Sequence, residues 1–82
     1  MAEDKYRRAV CATVAQILQN ERAERGLTLA AVAAKAGLSY QMVRFVEKQD
    51  RNPTLDTLLR ICDAMGIELV DVLKRANKMA KK

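Results

Sequence analysis

The sequence has no histidine and no tryptophan, and only two cysteines, one proline and three glycines among its 82 residues. A zinc site needs about four nitrogen or sulfur ligands at close spacing, and neither Cys11 nor Cys62 has a neighbouring ligand. The two cysteines are also too few for a disulfide framework, which favours a reducing, cytoplasmic setting. We therefore expect no metal and no cofactor.

Catalytic groups are equally scarce. The chain offers no histidine, no pair of carboxylates in a plausible cleft, and no base beside either cysteine. Cys11 and Cys62 both fall on predicted core faces, where a free cysteine acts as a small hydrophobic residue. We therefore expect a protein that is not an enzyme, and no small-molecule ligand is evident.

Long apolar runs are missing too. No stretch approaches the roughly 20 residues of a membrane span, and the start MAEDKYRR lacks the apolar segment of a signal peptide. We expect a protein of the cytoplasm with no membrane partner. The length predicts one domain over residues 1–82, with a core at about 5–76 and a basic tail at 74–82.

The charge is uneven along the chain. Fifteen Lys and Arg stand against ten Asp and Glu, and residues 1–73 carry ten of each sign, so the excess of +5 lies wholly in the tail. Three interpretations of the tail stay open: stabilisation of a helix C-terminus, additional phosphate contacts, and a membrane-surface role, which its weak apolar face makes unattractive. Its five cations are Lys74, Arg75, Lys78, Lys81 and Lys82.

Apolar periodicity and capping residues predict an all-α chain of five helices. Each glycine follows an apolar-periodic stretch, where a helix ends in a left-handed residue. Ser and Thr precede three of the stretches as N-caps. The predicted helices run from about Asp4 to Arg25, from Leu29 to Ala36, from Tyr40 to Glu47, from Thr54 towards Gly66, and onward from Glu68.

Three of these helices have predicted inward faces. On helix one the face is Tyr6, Val10, Val14, Ile17 and Leu18, with Cys11 alongside. On helix four it is Leu55, Leu58, Leu59, Cys62 and Met65, and on helix five it is Leu69, Val72, Leu73 and Ala76.

The link between helices two and three is only Gly37-Leu38-Ser39, and so tight a turn is typical of a helix-turn-helix. A small helical bundle with ordinary glycine C-caps is the alternative. The packing of a helix-turn-helix needs a small residue at the closest contact, supplied by Ala33, and a residue tolerant of positive φ, supplied by Gly37. The remaining apolar positions are also filled in register, by Val32, Ala36, Leu38, Val43 and Val46.

Two stretches, RAERGLTLAAVAAKAGLSYQMVRFVEK and NPTLDTLLRICDAMGIELVDVL, resemble the phage-repressor-like (Cro/repressor, XRE-type) DNA-binding family. With the loop between them they span Arg22 to Leu73, roughly two-thirds of the chain. The resemblance implies the compact five-helix lambda-repressor-like domain. It also implies a partly buried ion pair between Arg22 of helix one and Glu47 at the end of helix three.

Helix three is the expected reading helix. Since Val43 and Val46 point inward, Tyr40, Gln41, Arg44 and Phe45 point outward together. In a helix-turn-helix this surface enters the major groove, where Gln41 suits adenine, Arg44 suits guanine, and Tyr40 offers a hydroxyl. For Phe45 two interpretations stay open, contact with thymine methyl groups or packing back onto the core near Leu55.

Other side chains are expected to contact phosphates and fix the orientation of the protein. Thr28 and Ser39 stand at helix N-termini, which attract anions. Where the family commonly has a phosphate-clamping glutamine, this chain has Leu29, so one backbone contact is in doubt. The full predicted set is Thr28, Lys35, Ser39, Lys48, Arg51 and Asn52.

We therefore expect a sequence-specific transcriptional regulator of double-stranded DNA, of the phage repressor, restriction–modification controller or autoregulating antitoxin type. One helix reads only a few base pairs, so a homodimer on a two-fold operator is expected. Leu69 and Val70 are the predicted dimer contacts, and regulation would come from the protein's concentration or a partner protein. The alternative is a protein-interaction adaptor with an apolar patch at Tyr40, Met42 and Phe45.

Overall fold

The computed structural model describes the backbone of residues 2–81 and the side chains of residues 4–81. Over this range the chain forms helices and no strand, which confirms the predicted all-α class. None of these helices combines the length and apolar character needed to cross a membrane. The five helices are α1 (Ala2–Glu24), α2 (Leu29–Ala36), α3 (Tyr40–Lys48), α4 (Leu55–Met65) and α5 (Leu69–Ala80).

Side-chain hydroxyl groups cap the N-termini of three helices. The Thr28 side chain accepts a hydrogen bond from the Ala31 N–H, and the Ser39 side chain accepts one from the Met42 N–H. Thr54 accepts likewise from the Thr57 N–H, at 3.1 Å. Each bond satisfies an N–H group that the helix itself cannot pair, so the predicted starts of α2, α3 and α4 are confirmed.

The hydrophobic core lies where α1 packs against α5 and α3, while α2 packs against α3 and α4. Leu18, Val32, Val43, Cys62 and Val72 are its largest fully buried side chains. Because the core side chains come from all five helices, the orientation of α3 depends on the whole bundle.

The prediction for α4 was partly wrong. Leu55 and Leu59 are 64% and 46% exposed, whereas Ile61 and Cys62 are each only 2% exposed. The stripe that meets the core runs through Leu58, Ile61, Cys62 and Met65, so Leu55 and Leu59 lie on its solvent side.

The predicted core face was also too long on α1 and α5. Tyr6 is 41% and Leu73 40% exposed, and the Cys11 thiol is exposed rather than packed in the core. Helix α1 has 23 residues, and its first buried side chains among the described residues are those of Val14 and Ala15. The Tyr6 hydroxyl donates to the Asn77 side chain of α5.

Residues 74–80, in the predicted basic tail, are helical. Helix α5 continues to Ala80, so most of the cationic residues after position 73 project from its surface. Arg75 also has a specific partner, because its Nη1 donates to Glu21 Oε2 of α1 at 2.9 Å. Arg75 thus adds one ion pair between α5 and α1.

Candidate nucleic-acid interface

Helices α2 and α3 form the helix-turn-helix that the turn sequence predicted. Gly37 ends α2 at φ 70°, in the left-handed region, and the Leu38 N–H returns to the Ala33 carbonyl at 3.0 Å. Ala33 is 4% exposed at the contact between the helices. Ser39 then starts α3 immediately, so the turn leaves little freedom in the angle between the two helices.

Arg60 of α4 supports this turn from outside. Its Nη1 donates to the Ala36 carbonyl at 3.3 Å, while its Nε donates to Asp56 Oδ2 at 2.8 Å. A Cβ placed on Gly37 would lie 3.3 Å from the same Nη1 atom. Glycine is therefore favoured at position 37 by its φ angle, and a Cβ there would also require a small shift of the Arg60 side chain.

The ion pair between α1 and α3 that the family resemblance implied is present in the structure. Arg22 donates from Nε and Nη2 to the two carboxylate oxygens of Glu47, at 2.7 Å and 3.0 Å. This hydrogen bonding is the main reason why the pKa of Arg22 is raised. The two side chains are only 18% and 9% exposed, so the pair is largely shielded from water.

The outward surface of α3 is exposed at its N-terminal turn and half-buried further on. Tyr40 is 50% exposed and Gln41 is exposed, whereas Arg44 and Phe45 are each half-buried. Val43 and Val46 face the core at 1% and 3% exposure. The hydrogen-bonding groups of Tyr40 and Gln41 are thus presented at the end of α3 that follows the turn.

Phe45 neither packs in the core nor stands free in solvent. The guanidinium carbon of Arg51 lies 4.9 Å from the centroid of its ring. Of the patch of Tyr40, Met42 and Phe45 in the adaptor interpretation, Tyr40 is exposed and the other two are half-buried. The adaptor interpretation stays a prediction.

All six predicted phosphate contacts are exposed. The hydroxyls of Thr28 and Ser39 are engaged in capping, and they mark the N-termini of α2 and α3. The others form two groups, with Lys35 in the last turn of α2 and the rest at or just beyond the C-terminal end of α3. The six are Thr28, Lys35, Ser39, Lys48, Arg51 and Asn52.

The two predicted dimer contacts differ in accessibility. Val70 is 59% exposed, but Leu69 is 6% exposed and packs in the core of its own chain. Leu69 was therefore wrongly predicted as a surface contact, because the inward stripe of α5 begins with it.

The two cysteines lie in different environments, Cys11 exposed and Cys62 buried. Burial, and then the nearby Asp63 charge, raises the pKa of the Cys62 thiol to about 11, so that thiol stays protonated near neutral pH. Across the described residues, no group of three or more His, Cys, Asp or Glu side chains is arranged to hold a metal ion.

Comparison with known proteins agrees with this geometry. A family model described as helix-turn-helix matches residues 18–72, the region from late α1 to early α5. The chain belongs to the helix-turn-helix family. It is a DNA-binding regulator of the XRE type, and the family predicted from the sequence is confirmed.

Two relatives carry regulatory names. An HTH-type transcriptional regulator of Sinorhizobium fredii is 38% identical over 52 residues, covering 63% of this chain and 68% of the relative. The immunity repressor protein of Bacillus phage phi105 is 39% identical over 57 residues, covering 70% of this chain. This chain spans only 40% of the phage repressor's length.

Solved structures show the same fold. The restriction–modification controller protein C.Esp1396I superposes with a TM-score of 0.78 at 23% identity, covering 89% of this chain and 96% of the controller. The same values hold for its tetramer in complex with a natural 35 base-pair operator. At this identity the likeness establishes the architecture, which confirms the predicted five-helix domain.

Sequence reasoning missed two contacts of the interface. Arg60, which braces the turn, is four residues after Asp56, a spacing that favours an ion pair on one helix. That signal was present in the sequence, although it does not indicate the Ala36 carbonyl. The position of Arg51 over Phe45 had no comparable signal, because it depends on the path of the loop between α3 and α4.

Proposed function

We propose that the protein is a sequence-specific transcriptional regulator that inserts the N-terminal part of α3 into the major groove of an operator. The observation that carries the proposal is the exposed first turn of α3, which the Ser39 cap fixes, while the Arg22–Glu47 pair fixes the last turn of the same helix. The fixed position of α3 matters because base recognition requires its hydrogen-bonding groups to be held in place. The regulatory names of the two relatives support the same function.

The base-reading residues are Tyr40, Gln41 and Arg44. Gln41 is suited to a bidentate contact with adenine and Arg44 to one with guanine, each contributing about 1–3 kcal/mol of discrimination. Arg44 is half-buried in the free protein, so its guanidinium has to extend further into solvent to reach a base. We therefore expect Gln41 to contact a base before Arg44 does and to contribute more to the sequence preference of the first encounter.

Phosphate contacts come from the exposed residues on either side of α3. Lys35 and Ser39 lie near the turn, while Lys48 ends α3 and Arg51 and Asn52 lie just beyond it. Because the two groups lie at opposite ends of α3, they can contact the backbone on both sides of the groove. Thr28, at the start of α2, completes the set.

The functional unit is proposed to be a homodimer on a two-fold operator, with half-sites about 34 Å apart. Val70 is the proposed central contact, and its exposure leaves an apolar surface without a partner in one chain. Other large apolar side chains are exposed on α4 and α5. They are Leu55 and Leu59 of α4 and Leu73 of α5.

Selection from a random duplex library tests the reading function. The wild type is expected to enrich a two-fold motif, and the Gln41→Ala/Arg44→Ala double variant is expected to lose the enrichment while keeping weak, salt-sensitive binding. Enrichment of the same motif by both proteins would contradict base reading by α3. No enrichment by the wild type would contradict the sequence-specific function.

Sedimentation tests the dimer separately. Val70→Glu is expected to shift the protein towards monomer, because a charge on the contact surface loses its hydration on association. Met79→Glu is the matched control, since Met79 is 56% exposed on the same helix but lies outside the proposed contact. A wild type that is monomeric at high micromolar concentration would contradict the dimer.

A further inference from the structure

Phe45 and Arg51 form a cation–π contact on the surface that carries the reading helix. The guanidinium carbon lies 4.9 Å from the ring centroid, inside the range of about 6 Å in which the ring attracts a cation. Phe45 is half-buried and Arg51 is exposed, so the ring is held by α3 while the guanidinium faces solvent. Neither the family match nor the regulatory names assign a role to this contact.

The backbone at the end of α3 creates the contact. Gln49 has φ 59°, in the left-handed region, and its N–H donates to the Val46 carbonyl at 3.2 Å. The next N–H, of Asp50, donates to the carbonyl of Phe45 itself at 3.0 Å. These two bonds fold the chain back over the end of α3 and bring Arg51 to the Phe45 ring.

The remaining contacts of Arg51 leave its hydrogen-bonding edge available. Five ion pairs are present among the side chains of residues 4–81, and none of them includes Arg51. The cation–π attraction needs the guanidinium over the ring but uses none of its N–H groups. A phosphate can therefore bind these N–H groups while the contact with the ring persists.

We propose that Phe45 is a positioning residue, which holds Arg51 in place for a DNA phosphate and does not read a base. This inference deepens the proposed function and rests on it. An arginine free in solvent loses rotamer entropy when it binds a phosphate, and this loss weakens binding. Phe45 restricts Arg51 before DNA arrives, which makes phosphate binding about two- to tenfold tighter.

A double-mutant cycle on the selected operator tests the coupling. Phe45→Leu is expected to weaken binding about two- to tenfold in the wild-type background and to have no effect in the Arg51→Gln background. Arg51→Gln itself should reduce the slope of log K against log salt by about 0.9, the value for one phosphate contact. Phe45→Trp, which keeps an aromatic face, should restore wild-type affinity.

A scrambled duplex separates this inference from the proposed function. The Phe45→Leu loss should appear on both duplexes, because a phosphate contact does not depend on base sequence. Equal wild-type affinity for the two duplexes would overturn the sequence-specific function alone. A Phe45→Leu loss that is confined to the operator, or that persists in the Arg51→Gln background, would overturn the positioning role.

The free protein provides a readout that does not need DNA. Protons of the Arg51 side chain should show an upfield ring-current shift in the NMR spectrum, lost in Phe45→Leu and kept in Phe45→Trp. Leucine retains an apolar side chain at this half-buried position, and an unchanged amide spectrum elsewhere will show that the variant is folded. Identical Arg51 shifts in the wild type and Phe45→Leu would overturn the cation–π contact.

Discussion

Arg22 and Glu47 are joined by two parallel hydrogen bonds, with Nε 2.7 Å from Oε2 and Nη2 3.0 Å from Oε1. The third nitrogen of the guanidinium, Nη1, donates to the Leu27 carbonyl at 2.9 Å. One side chain thus connects α1, the loop that leads into α2, and the last turn of α3. Both ends of the helix-turn-helix are fixed to α1 by this contact.

We expect Glu47→Ala to lower the free energy of unfolding by about 2–4 kcal/mol, because it leaves the Arg22 guanidinium shielded from water without its carboxylate. Urea denaturation at neutral pH measures the change. Asp4→Ala is the matched control, since it breaks the Asp4–Arg7 pair, whose side chains are 51% and 66% exposed.

Loss of an exposed pair is expected to cost no more than about 1 kcal/mol. A larger loss of unfolding free energy in Glu47→Ala than in the control is therefore due to the shielding of the Arg22–Glu47 pair, and not to the removal of a carboxylate in general. Equal losses in the two variants would show that the Arg22–Glu47 pair is no more structural than a surface pair.

Stability should depend on pH through Glu21. Hydrogen bonds from Arg75 and then Arg25 hold the pKa of the Glu21 carboxyl below its ordinary value of 4.5. A depressed folded-state pKa stabilises the protein above the unfolded-state pKa, and this stabilisation disappears as the pH falls through the folded value. Wild type should therefore exceed Glu21→Gln in stability above about pH 5, with the difference vanishing in acid.

Urea denaturation from pH 3 to pH 7 measures this difference. Glu24→Gln serves as the control, because it removes an exposed carboxylate from the same end of α1. A gap between wild type and Glu21→Gln that stays constant down to pH 3 would contradict the assignment to ionised Glu21.

Helix ends were predictable from the sequence because the signals that set them are local. Thr28 and Ser39 hydrogen-bond within their own helices, and Gly37 adopts the positive φ that its lack of a side chain permits. The inward face of α4 was less predictable. Leu55 and Leu59 fit an apolar stripe as well as Ile61 does, and only the packing of α4 against other helices decides between them.

The candidate interface also has features that the sequence predicts and features that it does not. The outward direction of Tyr40 and Gln41 follows from helical periodicity, once Val43 and Val46 are placed in the core. The partner of Phe45 does not follow, because the sequence does not show that Gln49 will take a left-handed conformation. That one backbone angle determines where Arg51 lies.

The two cysteines should differ sharply in reactivity. Cys11 is exposed, whereas Cys62 is 2% exposed and burial raises the pKa of its thiol to about 11. Titration of the native protein with a thiol-specific chromogenic reagent at pH 8 should therefore show one rapid equivalent, and a second only in denaturant. Cys11→Ser should abolish the rapid phase, and two rapid equivalents in the native wild type would contradict the burial of Cys62.

Gln49 is the one non-glycine residue with positive φ within residues 2–81, at 59°. The left-handed conformation costs a side-chain-bearing residue about 1–2 kcal/mol, and glycine avoids this cost while losing more backbone entropy on folding. We expect Gln49→Gly to raise the free energy of unfolding by about 0.5–1 kcal/mol.

Lys48→Gly, one residue earlier but still within α3, provides the opposite expectation. There glycine should lower the stability by about 1 kcal/mol, because the position is helical. Thermal and urea denaturation of both variants measure the two changes. Because Gln49→Gly keeps the turn, it should also keep the ring-current shift of the Arg51 protons. Destabilisation by both glycine substitutions would show that the Gln49 side chain contributes more to folding than its backbone angle costs.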